Sequence, residues 1–468
     1  METQNIYEPT WTSLAKHPTP QWFKDAKFGI YTHWGVYCVP AKGPNATWYP
    51  YNMYREGTSQ WEYHVKTYGG PEKFGWKDFI PMFTAERFDP DEWAELFKES
   101  GAQYAGPVGE HHDGFCMWDT KYSEWSAAKM GPKTDVVGRL EKAIRKQGLR
   151  FLVALHHAEN WWFYPHWRKE FDTSDPRYAG LYGEAHDLEG KVGESFFEQE
   201  RPSKKFIDTW KAKIVEVIEK YDPDMLWFDF GIRGLPDKPK EEILAYFYNK
   251  AIEHGKEVVV TYKGHDLAPG SGVVDLELGR MDKLTYYEWI TDTTVDDGQG
   301  WGYLKDTPYK TTTELVHYLI DNVSKNGYGT LPDQAIELLR GMGKWLAVNG
   351  EAIYGTTHWI THGEGPAQLK KAGPFNEDEK LEYGRKDVRF TVKGDVLYAT
   401  VMGWPGEYAV IETLKCLYPD EIQSVKMLGV DQELEWRLTS SALVIKTPDQ
   451  KPCEHAYVFR ISRGQPYR

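Results

Sequence analysis

The sequence predicts an α/β fold: a (β/α) barrel, irregular or short of one strand, followed by a C-terminal antiparallel β-sandwich. Short apolar runs recur along the first three quarters of the chain, each followed by a loop rich in polar and aromatic residues and, in most cases, by an amphipathic helix. Seven such runs stand in series, enough to imply a barrel rather than an open sheet. After Thr356 alternating runs replace strand-helix pairs, the pattern of a sheet with one face buried.

The strands are expected at residues 27–32, 102–108, 150–155, 225–230, 257–262, 272–276 and 284–291. Between them, Asp89 caps a helix with Pro90 in its first turn and Glu92 completing a capping box, and Gly101 follows its end. Further helices are expected over 135–147, 206–220, 238–254, 312–325 and 333–349, most of them stopped by a glycine. A closed barrel needs an eighth strand before Pro332. Only Tyr328, Gly329, Thr330 and Leu331 separate Pro332 from the Asn326-Gly327 turn, which argues against a buried strand there. Runs at 388–392, 396–401, 408–411 and 442–445 then build the sandwich, with 363–373 as linker, so the domains divide as 1–362 and 363–468.

Composition narrows the function. The 468 residues carry a formal net charge of −14, which opposes binding to nucleic acid or to an anionic membrane. Twenty Trp, 30 Tyr and 20 Phe provide flat apolar faces of the kind on which sugars stack. Cys38, Cys116, Cys416 and Cys453 lack metal-type spacing and read as free thiols. No leader-like start and no long apolar window occur, so the chain is expected to be soluble, either cytoplasmic or a mature secreted form.

In a barrel the site lies where strands end. The first strand ends in Thr32-His33-Trp34-Gly35, the second in Glu110-His111-His112-Asp113-Gly114, and the third in His156-His157-Ala158-Glu159. The fourth delivers Asp229 in Trp227-Phe228-Asp229-Phe230-Gly231, the fifth Lys263, and the sixth Glu277 in Asp275-Leu276-Glu277. Adjacent histidines point to opposite sides of a strand, and neither HExxH nor HxH spacing occurs, so imidazoles bonded to substrate hydroxyls fit better than a metal site. No cofactor is expected. A charge at a buried strand tip needs a task, and two carboxylates on nearby strand ends suit glycoside hydrolysis with retention, one as nucleophile and one as acid/base. Asp229 and Glu277 are such a pair. Glu288, on the expected seventh strand beside Trp289, is the rival acid, with Asp275 and Asp306 behind it.

These residues resemble the retaining α-L-fucosidases of glycoside hydrolase family 29 over nearly the whole chain. The resemblance is carried by Trp22 to Gly29 leading to His33-Trp34-Gly35, by Trp48-Tyr49 with Asn52-Met53-Tyr54, by His111 to Phe115 with Trp118-Asp119, by Trp227-Phe228-Asp229, and by Trp301-Gly302-Tyr303. It implies a barrel with a sandwich, a fucosylated glycan as substrate, Asp229 as nucleophile, and Glu277 as the matching acid/base with Glu288 the alternative. It also implies that His33, His111 and His112 bind fucose hydroxyls and that Trp48, Trp227 and Trp301 wall the pocket. His156 stands where an aromatic residue is common, Lys263 where an arginine is, and Thr47 where an acid is. An α-L-galactosidase using the same site, or a catalytically silent fucose-binding protein, are the other functions the residues allow.

Overall fold

The computed structural model describes residues 6–186, 202–298, 300–331 and 336–464. Eight parallel strands close a barrel in chain order: β1 Phe28–Thr32, β2 Tyr104–Glu110, β3 Arg150–Leu155, β4 Met225–Phe228, β5 Val259–Lys263, β6 Val273–Asp275, β7 Trp289–Asp292 and β8 Gly327–Leu331. The expectation of a barrel short of one strand is therefore corrected. β8 starts at the turn itself, pairing Trp289 with Gly327 on one side and Phe28 with Gly329 on the other. The segment is short and contains two glycines, yet its backbone closes the ladder. Gly327 is needed for packing, because a Cβ there would come within 2.5 Å of the Trp289 ring.

Six helices surround the strands where sequence grammar places them. Asp89 accepts the amides of Asp91 and Glu92 at the start of helix Pro90–Glu99, and Asp135 and Ser203 cap helices Val136–Lys146 and Lys204–Tyr221. Helix Asp237–Glu253 follows β4, and Thr311 with Glu314 forms a complete capping box before helix Thr312–Ser324. Helix Ile336–Asn349 is described from Ile336, and its expected start at Asp333 lies outside the described residues. The connections 264–272 and 276–288 carry no helix, which makes this barrel irregular between β5 and β7. The barrel interior is filled by large side chains such as Tyr104, Leu152, Met225 and Ile290. It is a packed core beneath the site rather than a channel.

The remaining strands are β9 Thr357–Glu364, β10 Val388–Lys393, β11 Val396–Val401, β12 Tyr408–Ile411, β13 Ile422–Met427, β14 Trp436–Leu438, β15 Leu443–Lys446 and β16 Tyr457–Arg463. They form a five-stranded sheet, β13-β16-β11-β10-β9, and a three-stranded sheet, β12-β15-β14. Phe390, Leu397, Ile411, Leu443 and Phe459 fill the space between them. β9 runs across residues 362 and 363 and pairs with β10. A buried ionic contact joins sandwich to barrel: Arg389 of β10 donates from Nε to Asp321 Oδ1 at 2.6 Å, and Asp321 also binds Lys325. None of the four cysteines forms a disulfide among the described residues.

Candidate active site

The strand ends deliver their polar residues to one place. His33 follows β1, His111 and His112 follow β2, His156 follows β3, Asp229 follows β4, Lys263 ends β5, Glu277 lies two residues past β6, and Asp292 ends β7. With Trp48, Trp227 and Trp301 these residues line one cavity of about 550 Å³ at the C-terminal face of the barrel. That volume lies within the range of small-molecule sites. Trp227 stacks on Tyr31 at 4.9 Å between ring centroids, and Trp301 lies 4.7 Å from the His33 ring.

Asp229 stands between two imidazoles. Its Oδ2 lies 3.3 Å from His156 Nδ1 and 3.5 Å from His112 Nε2. Glu277 is held from the other side: its Oε1 accepts the Trp301 indole N–H at 2.8 Å and its Oε2 lies 3.2 Å from Lys263 Nζ. Burial pushes the Glu277 carboxyl up to about 7, with the charges of Asp229 and Asp292 adding to the rise and Lys263 and the Trp301 bond opposing it. Lys263 also binds Asp275 and lies 3.1 Å from both oxygens of Asp292, which in turn accepts the Tyr31 hydroxyl. Burial alone would lower Lys263, but four carboxylates, Asp275, Asp292, Glu277 and Asp229, hold it well above the usual lysine range.

Burial favours the neutral form of these histidines. Burial carries His33, His111 and His156 well below the ordinary imidazole value, with the neighbouring rings adding to the effect, and lowers His112 as well. His33 Nδ1, both ring nitrogens of His156 and the Trp227 indole nitrogen have no hydrogen-bond partner among the described residues. Buried polar atoms without partners on a cavity wall are positioned to bind a polar ligand such as a sugar bearing several hydroxyls. One nitrogen each of His33, His111 and His156, or of His112 and His156 with an Asp229 oxygen, lie within 4.8 Å of one another, close enough for a cation.

Glu288 is not brought to this cavity. β7 begins at Trp289, so Glu288 precedes the strand and sits at the opposite end of the barrel, where it pairs with Lys24 at 3.0 Å. A parallel strand sends only its C-terminal end to the site, and the expected start at residue 284 misplaced this end. Asp306 is exposed and pairs with Lys42, and Asp275 is engaged by Lys263. His157 faces away from the site, 4.0 Å from Glu110.

Glu159 is a site residue that pattern reading passed over, although it lies in the same loop as His156. It is 3% exposed and lines the cavity with its Oε2 3.2 Å from His112 Nε2. His112 Nδ1 lies 2.9 Å from the His156 carbonyl oxygen, which can only accept, so Nδ1 carries the ring proton. Nε2 of the neutral ring then offers only a lone pair, and Glu159 Oε2 makes no hydrogen bond among the described residues. Burial and the nearby charge of Asp229 hold the Glu159 carboxyl well above its usual range. Gly231 makes room for it: its φ is +99°, and a Cβ there would come within 2.3 Å of Glu159 Cγ.

Comparison with known proteins follows the same lines. The alpha-L-fucosidase family profile matches residues 1–351, and that of the alpha-L-fucosidase C-terminal domain matches residues 382–462. The tissue alpha-L-fucosidase of Rattus norvegicus is 30% identical over 98% of this chain and 93% of its own, and the alpha-L-fucosidase of Branchiostoma floridae is 30% identical over 98% and 96%. The crystal structure of Thermotoga maritima alpha-fucosidase in complex with fucose superposes with a TM-score of 0.77 at 30% identity, covering 97% of this chain and all of that one. A closed barrel with two carboxylates at its C-terminal face, joined to an antiparallel sandwich and matched along nearly its whole length, places this chain in the alpha-L-fucosidase family of glycoside hydrolases.

Proposed function

We propose that the protein is an exo-acting retaining α-L-fucosidase that releases terminal α-L-fucose from fucosylated glycans through a covalent glycosyl-enzyme. The observation that carries this reading is the pairing of Asp229 and Glu277 on one cavity, with Glu277 retaining a proton up to about pH 7. In the first step an Asp229 oxygen attacks the anomeric carbon while the bond to the leaving group breaks. Glu277 gives its proton to the departing glycosidic oxygen. The resulting ester neutralises Asp229 and removes one of the charges that raise Glu277. Glu277 is then more readily ionised, as the second step requires. There it takes a proton from water, and the water oxygen displaces Asp229 to release fucose with its anomeric configuration retained.

The other groups prepare these steps. His112 and His156 flank Asp229, and the His156 carbonyl oxygen fixes the tautomer of His112. His33, His111 and the three tryptophans surround the sugar. Two acids on one cavity, as double displacement requires, favour turnover over silent binding. The test is Asp229→Ala and Glu277→Ala on an aryl α-L-fucoside with azide. Asp229→Ala is expected to lose at least about a thousandfold in kcat and to yield the inverted β-fucosyl azide on rescue. Glu277→Ala is expected to yield the retained α-azide. Near-normal turnover by Asp229→Ala, or the opposite stereochemistry of rescue, would overturn the assignment.

A further inference from the structure

The cavity mouth carries two aromatic rings that the steps above do not use. Phe230 directly follows Asp229, and Phe375 comes from the segment between β9 and β10, far away in sequence. Both line the cavity. Their ring centroids are 6.1 Å apart and their planes differ by 19°, so Phe230 stacks near-parallel on Phe375 and backs it. Phe375 is 57% exposed, an unusual state for a phenylalanine in a segment so firmly held.

That segment is tied to the loop of Glu277. Arg280 and Gly373 exchange both backbone hydrogen bonds, the Phe375 amide donates to the Glu277 carbonyl at 2.8 Å, and the Asn376 amide donates to the Leu278 carbonyl at 2.9 Å. Phe375 has φ +53° and Leu278, facing it, has φ +46°. Both conformations are rare for bulky residues and are kept only where surrounding contacts demand them. The fold thus holds an apolar ring out at the mouth on a backbone held in a rare conformation.

We propose that Phe375, backed by Phe230, forms a subsite for the leaving group, its exposed ring stacking on the C–H face of the pyranose to which fucose is attached. This rests on the retaining fucosidase reading above. Glu277 must reach the oxygen of the bond being cut, so the leaving group lies on the Glu277 side of the cavity. Phe375 is anchored to the backbone of Glu277 and Phe230 adjoins Asp229, so a group leaving between the two acids passes these rings. A pyranose offers the Phe375 ring a row of C–H groups, which an aromatic face accepts. The substrate class is accordingly a fucoside whose leaving group is itself a sugar, bound across barrel and linker together.

The experiment compares kcat/KM on α-L-fucosyl fluoride, which has no leaving-group ring, with that on α-1,2-, α-1,3-, α-1,4- and α-1,6-fucosyl disaccharides, using for variants the disaccharide that the parent protein cleaves fastest. Phe375→Ala is expected to lose roughly tenfold more on the disaccharide than on the fluoride, and Phe375→Tyr to restore most of it. Phe375→Gly, which relieves the positive φ, should behave as the alanine variant does, separating the ring from any folding defect. Equal losses on both substrates, no loss on either, a tyrosine variant as poor as alanine, or a parent that cleaves the fluoride but none of the disaccharides would overturn the subsite. A parent that cleaves neither class would instead overturn the fucosidase reading.

Discussion

Replacing Trp301 with phenylalanine is expected to move the alkaline limb of the pH profile upward while leaving the cavity wall apolar. The indole N–H bonds Glu277 Oε1 at 2.8 Å and favours its ionised form. A hydrogen bond to a charged group is worth about 1.5 to 3 kcal/mol, and about 1.4 kcal/mol corresponds to one pH unit. The ammonium of Lys263, 3.2 Å from Oε2, is the stronger stabiliser of the same carboxylate, so the lower end applies. Glu277 should therefore move from about 7 in the parent to roughly one unit higher in the variant. The assay is kcat/KM across pH 5 to 10 on a fucoside with a poor leaving group, since this ratio reports groups of the free enzyme and a poor leaving group makes protonation matter. The catalytic acid form then survives to higher pH, and activity persists where the parent has lost it. An alkaline limb that stays in place or moves down would refute the role of Glu277 as acid, or the direction of the Trp301 effect.

Glu159→Gln should keep activity within a few-fold, because burial already favours the neutral form of this carboxyl and the amide keeps its shape; a loss beyond about tenfold in kcat would refute a neutral Glu159. Glu288→Ala should leave kcat/KM on an aryl fucoside near the parent value and change stability by at most about 1 kcal/mol, since it breaks only a partly exposed pair with Lys24, and a large kinetic loss would contradict its placement. Burial pushes Asp113 up to about 7, against the hydrogen bond it accepts from the Phe115 amide, so the folded chain binds its proton more tightly than the unfolded one does. The stability this contributes is full below the unfolded value near 3.8 and is lost as pH rises through about 7, a change on the order of 4 kcal/mol. Thermal unfolding midpoints of Asp113→Asn and the parent should thus diverge in the variant's favour between pH 4 and pH 8, and a constant difference would refute the shift.

Much of the site was legible because a β/α barrel turns sequence order into spatial convergence. His33, His111, His112, His156, Asp229, Lys263 and Glu277 each follow or end an apolar run, and parallel strands carry all such ends to one face. What failed was the exact limit of a strand. Glu288 was assigned to the site because β7 was begun five residues early, and that difference separates the two ends of a four-residue strand. β8 is hidden for another reason: Asn326-Gly327 reads as a turn and the four residues from Tyr328 to Leu331 look too few for a buried strand, and only the backbones of β7 and β1 on either side make a strand of them.

The sequence by itself determined the strand-helix alternation, the second domain and the residues gathered at the strand ends, because periodicity and capping are local properties of the chain. Only the tertiary structure decided that the barrel closes, that Glu277 and not Glu288 shares a cavity with Asp229, and that Glu159 and Phe375 belong to that cavity. Burial and the nearby charge of Asp229 raise the Glu159 carboxyl, and Phe375 owes its position to hydrogen bonds with a loop nearly a hundred residues away. Such properties arise from neighbours brought together by folding, and no window of sequence contains them.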